Sequence, residues 1–230
     1  MVKYEAYLTE DTHVHINTVG NNKLGKGIWN ISLLPGDKPL KGKNGNPLTN
    51  IPGTCHGVCK DCEKDCYAIK FARYHHNSCI PAYNDNTILA THDVKTFFDE
   101  IDMAIKRNIV AVIRFHVSGE IPNTKYFKEM ISLAKRNEHV RFYLYTKRYN
   151  LVNKYAAEIP NNMAILFSVW DKPIDNPYKF PTFELDRGNL KDLFHCPATD
   201  KKGHETGITC AMCKRCIYAK NGDRIAVYLH

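Results

Sequence analysis

Apolar positions change their period several times along the chain, and each change marks an element. Residues 28–34 (Ile-Trp-Asn-Ile-Ser-Leu-Leu) form a dense apolar run stopped by Pro35-Gly36, which predicts a strand. Val94, Phe97, Phe98, Ile101 and Ile105 recur at helical spacing, so Asp93 is expected to cap a helix running through Arg107, with Lys106-Arg107 at its negative end. A second amphipathic helix is expected over 123–136, carrying Phe127, Met130, Ile131 and Ala134 on one face. Shorter helices are expected at 67–74, at 81–90 with Pro81 in the first turn, and at 151–157. Residues 109–117, 140–145 and 164–170 read as buried strands and 224–229 as a closing strand. Residues 1–27, 35–54 and 171–195 hold no period and read as connection.

Between residues 94 and 170 helix and strand alternate, which predicts parallel strands joined by right-handed crossovers. A full eight-unit barrel usually takes ~250 residues, more than this chain of 230 has left after its long loops. The expected fold class is therefore α/β, a partial (β/α) barrel or a curved, mostly parallel sheet, with two cysteine-rich metal-cluster loops. A single domain over 1–230 is expected: 20–170 supply the first cluster loop and the βα core, and 171–230 a C-terminal cysteine-rich extension.

The cysteines carry the chemistry. Four of them, Cys55, Cys59, Cys62 and Cys66, fall within twelve residues, and either overlapping triplet can wrap a loop so that its thiolates converge. A second group is Cys196-Pro197 followed by Cys210, Cys213 and Cys216, whose C-x2-C-x2-C run with a fourth cysteine upstream has the spacing of ferredoxin-type loops. Thiolates select zinc, copper(I) or iron–sulfur clusters. Two 4Fe-4S clusters are the expected cofactors, and zinc is the alternative, either as two four-cysteine sites or as one joining Cys59/Cys62 to Cys213/Cys216. His75-His76 and Cys79 read as a polar loop that can lend a further ligand.

Composition fits this picture. With 43% hydrophobic and 24% charged residues the chain reads as soluble and globular. No run approaches the ~20 apolar residues of a membrane span, and the first residues lack a signal-peptide core. The cytoplasm is expected, with no membrane partner, and there clustered thiols stay reduced and bind metal. The net charge of +8 is spread without a run of five basic residues, so contact with nucleic acid or a host protein is an alternative expectation.

Strand ends supply further candidates, since ligands in parallel α/β folds sit at the carboxyl ends of strands. Ser118-Gly119-Glu120, Thr146-Lys147 and Trp170-Asp171 each follow an expected strand. Glycine at 119 lets backbone approach a ligand, and Glu120 can accept bonds from an ammonium group. Arg114 and His116, two apart, are expected on one strand face.

Two resemblances follow from these residues. Cys55-x3-Cys59-x2-Cys62 ahead of βα units, with Ser118-Gly119-Glu120 after a strand, resembles the radical S-adenosylmethionine superfamily. The ordered set Asn22-Lys23-Leu24-Gly25-Lys26, Cys66-Tyr67-Ala68, His116-x-Ser118-Gly119-Glu120, Tyr145-Thr146-Lys147 and Cys196-Pro197 with Cys210, Cys213 and Cys216 resembles the phage "gene product eighty-eight" family over roughly 20–220. The second implies phage or prophage origin, hence host cytoplasm. The first implies that Cys55, Cys59 and Cys62 hold a cluster with an open iron, that Ser118, Gly119, Glu120 and Trp170 bind the cofactor S-adenosylmethionine, and that Glu120, Tyr145 and Lys147 are catalytic. An electron donor would then be the partner. Asp61 stands where that superfamily carries an aromatic residue, and Cys66 is placed to close the cluster as a fourth ligand. A closed cluster or zinc module without enzymatic activity is the alternative.

Overall fold

The computed structural model describes residues 7–57, 60–170 and 173–228. Contacts divide the chain into two compact units that interleave in sequence. The first takes 1–17, 30–109 and 116–137, and the second 18–29, 110–115 and 138–230.

The first unit is mainly helical, with one hairpin. β2 (Pro39–Lys41) and β3 (Pro47–Pro52) pair antiparallel within 35–54, where the sequence reading expects only loop. Thr49 explains part of this, because its Oγ1 accepts from Leu40 N across the ladder at 2.9 Å and donates to Ile51 O of its own strand at 2.9 Å. α1 (Lys60–Asp65) and α2 (Tyr67–Tyr74) follow, and α3 runs from His76 to Thr91. The expected helix at 81–90 therefore begins five residues earlier and absorbs the supposed polar loop, with Pro81 in its interior. Proline removes the bond that would reach Asn77 O, but both residues are exposed, so water can satisfy that carbonyl. Cys79 thereby enters the apolar cluster with Leu34, Ile51, Ile69, Ala72, Ile80 and Ile88.

α4 (Val94–Lys106) and α5 (Thr124–Arg136) form as their periodicity predicts. Asp93 caps α4 by accepting from Thr96 N, and Asn123 caps α5 by accepting from Tyr126 N. Phe97, Phe98 and Tyr126 meet between them with ring centroids 4.8–5.4 Å apart. Asn137 adds a buried bond to Asp102 at 2.6 Å.

The second unit is built on parallel strands. β4 (Val112–Phe115), β5 (Arg141–Thr146), β6 (Met163–Val169), β7 (Thr182–Asp186), β9 (Arg224–Tyr228) and β8 (Phe194–His195) lie in that spatial order, and every one of these pairs is parallel. β1 (Ile28–Ile31) stands next to β4 and makes the sheet seven-stranded. α6 (Tyr149–Lys154) links β5 to β6, as the alternation predicts.

Two expectations fail here. β7 and β8 lie inside 171–195, which reads as connection because Thr182, Phe183 and Glu184 are only half-buried and give no clean period. β4 is shorter than the expected 109–117, since Ile109 is fully exposed and His116 turns into left-handed backbone at φ 56°. Arg114 and His116 therefore do not share a strand face. His116 Nε2 instead lies 3.1 Å from the Tyr126 hydroxyl in the first unit's core.

Candidate metal centres

Each unit contains one of the two cysteine groups. In the first, backbone bonds fix the entry to the cysteine segment: Thr54 N donates to Leu34 O and Cys55 N to Gly36 O, both at 2.9 Å. Glu120 N donates to Thr54 Oγ1 at 2.8 Å, and Leu33 N to Ser118 O at 2.9 Å, so the Ser118–Gly119–Glu120 turn is pinned beside Cys55. Gly119 is required there. Its φ is +82°, and an added Cβ would stand 2.7 Å from Leu33 Cβ and 2.8 Å from Thr54 Oγ1. The Tyr67 hydroxyl donates to Val117 O at 2.5 Å, tying the start of α2, one residue past Cys66, to the same turn.

Burial, reinforced by the Glu120 carboxylate and by the Cys66 and Cys62 thiols, pushes the Cys55 thiol up to about 12. Glu120, Cys66 and Cys62 thus lie near enough for their charges to act on the Cys55 thiol. Cys59 lies outside the described residues. Glu120 is buried, and its Oε1 accepts from Ile121 N at 2.8 Å. The buried Ser118 hydroxyl has no hydrogen-bond partner among the described residues.

In the second unit α7 (Cys210–Cys213) is capped by Thr209, which accepts from Met212 N. Lys214 then takes left-handed backbone, φ 57°, and returns its N–H to Cys210 O at 2.8 Å, which curls the Cys210–Cys216 run. Cys196 N donates to Ala226 O at 2.8 Å, continuing from β8. Cys196 and Cys216 are both raised, first by burial and then by the neighbouring thiols, Cys216 to about 12. The nearby Tyr145 hydroxyl opposes that rise at Cys216. The buried Tyr143 hydroxyl has no hydrogen-bond partner among the described residues, and Cys210 and Cys216 add to the rise in its pKa that burial causes. Tyr143 and Tyr145 are two apart on β5 and so share one sheet face, where the Arg114 guanidinium lies 4.7 Å from the Tyr145 ring.

Tyr145 is thus a neighbour of the second cysteine group. Lys147 and Trp170 come together in the same unit, with Lys147 Nζ 5.5 Å from the Trp170 ring and donating to Ser168 Oγ at 2.9 Å.

A further component is 21–25, which the sequence reads as connection and, at 22–26, as part of the family resemblance, with no role assigned. Asn21 Oδ1 accepts from Lys23 N and Leu24 N at 3.0 and 2.8 Å. The carbonyls so presented take Cys210 N at 2.8 Å and Ala211 N at 2.9 Å. At Gly25 an added Cβ would stand 2.6 Å from Thr209 Oγ1, so only glycine allows this approach. Lys23 has its pKa lowered by burial, with Glu205, Cys196 and Cys210 pulling the other way. Asn-x-Lys-Leu-Gly could have signalled a tight turn, but nothing local points to its distant partner.

All eight described cysteines are free thiols. Among the described residues no three His, Cys, Asp or Glu side chains are grouped so that they could hold a metal ion. The donor chemistry still fits a soft metal: four thiols in the second unit, three with an adjoining carboxylate in the first.

Asp186 steadies the approach to Cys196. Its carboxyl is held down at about 2 by the bond to His195 and by the N–H groups of Gly188, Leu190 and Asn189. A carboxyl depressed on folding stabilises fully above its unfolded value, here 3.8, and loses that contribution as pH falls to about 2. Stability measured by urea unfolding should therefore drop across this window, and Asp186→Asn should remove the drop while lowering stability at neutral pH.

The chain was compared with proteins of known sequence and structure. No solved structure matches it. The Gene 88 protein of Mycobacterium phage L5 is 22% identical over 241 residues, covering 94% of this chain and 92% of its own length. The family model for Gene product 88 matches residues 15–219, and with nearly the whole length spanned the chain belongs to the Gene product 88 family.

Proposed function

We propose that this protein is an iron–sulfur protein with two 4Fe-4S clusters, one in each unit, on a radical-SAM-like scaffold. The carrying observation is that every clustered cysteine described is a free thiol lodged with its own group, Cys55, Cys62 and Cys66 in one unit and Cys196, Cys210, Cys213 and Cys216 in the other. The second set supplies four thiolates and closes its cluster. The first supplies three, with Cys59 the remaining candidate. A bound cluster would supply one-electron transfer, which suits the buried Tyr143, the half-buried Tyr145 and the Arg114 cation beside the second set.

The protein's own residues prepare the sites. Raised thiols hold their protons in the metal-free protein, so metal uptake releases protons and weakens as pH falls. Thr54 and Tyr67 fix the first loop against the Ser118–Glu120 turn, and 21–25 brace the second.

A catalytic reading rests on two features of the first unit. The Glu120 carboxylate adjoins Cys55, and the buried Ser118 hydroxyl is unsatisfied among the described residues. Both suit the polar amino-acid end of S-adenosylmethionine, with Glu120 orienting the amine. Protein purified without oxygen should be brown, contain iron and sulfide in equal amounts, and yield 5′-deoxyadenosine when reduced with S-adenosylmethionine. A colourless protein with stoichiometric zinc would end the iron–sulfur reading, and a brown one that leaves S-adenosylmethionine intact would end the catalytic one.

A further inference from the structure

A cavity of about 490 Å3 lies in the second unit where β5 and β6 begin, within the range of about 300–1,000 Å3 usual for small-molecule sites. It is distinct from the cysteine groups, none of which lines it. Its lining includes two cations, Arg141 and Lys220, and no carboxylate.

Arg141 is half-buried, yet its recorded partners are carbonyls and an aromatic ring. Nε donates to Ile217 O at 2.7 Å, Nη1 donates to Asn161 O, and the guanidinium lies 5.6 Å from the Tyr218 ring. No carboxylate pairs with it among the described residues. Burial pulls its pKa down, with Tyr218 opposing, so an anion beside it would relieve the charge. Around these cations stand Tyr178 and Tyr218, both more than half exposed at 51% and 56%, and the buried Phe180, 6.2 Å from the Tyr178 ring. Tyrosines so exposed contribute little to a core and offer flat faces for stacking. Asn221 Nδ2 donates to Tyr178 O at 3.0 Å, which ties these parts of the lining together.

We propose that this cavity binds a nucleoside monophosphate, with Arg141 and Lys220 taking the phosphate and the Tyr178–Phe180–Tyr218 aromatics holding the base. Asp223 Oδ2 accepts from Lys220 N at 2.8 Å but is ion-paired with Arg215 and does not line the cavity, so the two lining cations select an anion, and the aromatic surface favours one that carries a flat ring. A concave site of this size takes one nucleotide rather than tracking a strand.

The test is calorimetric titration of the full, metal-loaded chain with AMP, GMP, CMP and UMP, with adenosine, inorganic phosphate and oligouridylate as controls. At least one monophosphate should bind saturably and at least tenfold more tightly than nucleoside or phosphate alone. Tyr178→Ala and Lys220→Ala, both exposed, should each weaken it about fivefold or more while circular dichroism stays unchanged. Iron content of the same samples separates failure here from failure of the cluster reading. The proposal falls if no monophosphate saturates, if adenosine or phosphate binds equally well, if only the oligonucleotide binds, or if the two variants bind as the parent does.

Discussion

Alanine at Cys216 should halve the iron and sulfide of the anaerobically purified protein, and alanine at Cys62 should remove the other half. The expectation of separate halves comes from the two thiol groups lying in different compact units, each with its own bracing. Cys216 is half-buried near Tyr145, Cys210 and Cys196, so no exposed cysteine can take its place without moving the curl set by Lys214. Cys62 stands next to Cys55 and Cys66 in the first unit. The double variant should be colourless. Cys79→Ala is the control, because Cys79 is on the buried face of α3 in the apolar cluster, and its loss should leave the iron unchanged while costing stability. Iron assay with electron paramagnetic resonance reads all four proteins. Simultaneous loss of both clusters from either single variant would refute independent sites.

Gly53→Ala should damage the protein more than any other single methyl group added near the first site. An added Cβ would fall 2.2 Å from Pro35 O and 2.5 Å from Gly36 O, and backbone atoms cannot step aside by changing rotamer. Gly53 also directly precedes Thr54 and Cys55, whose N–H groups bond Leu34 and Gly36. Relieving the clash means pulling that segment off, and the cost should be about 3 kcal/mol, the upper end for overpacking. First-site iron should be lost with it. Gly57→Ala supplies the contrast: its φ is +74° but an added Cβ meets nothing within 4 Å, so only backbone strain of about 1 kcal/mol applies. Urea unfolding of both variants gives the ratio, and equal small losses would show that the 53–55 segment yields easily.

What was readable in the sequence was local. α4 and α5 announce themselves through Phe97, Phe98, Phe127 and Met130 at helical spacing, and through caps at Asp93 and Asn123 that close bonds three residues on. β5 and β6 are apolar enough to be recognised, and their alternation with helices implies the parallel order that they adopt. The elements missed depend on partners far along the chain. β7 is held by β6 and β9 rather than by its own pattern, and Thr49 stabilises a hairpin whose residues are individually weak strand formers. Pro81 misled because the bond it deletes faces water. At the candidate sites the cysteines were legible from spacing alone. Tyr143, Thr54 and the 21–25 turn were not, because each acts through a residue at least sixty-six positions away.

The order of strands has a consequence for how the chain is made. β9 lies between β7 and β8, although both are synthesised before it. The nascent chain therefore leaves the ribosome with an unfilled slot in its sheet, and β7 and β8 cannot be bridged until 224–228 emerge. Cys196 gives its backbone N–H to that same late strand, so the segment that carries it cannot settle beside Cys210–Cys216 until translation has passed this point.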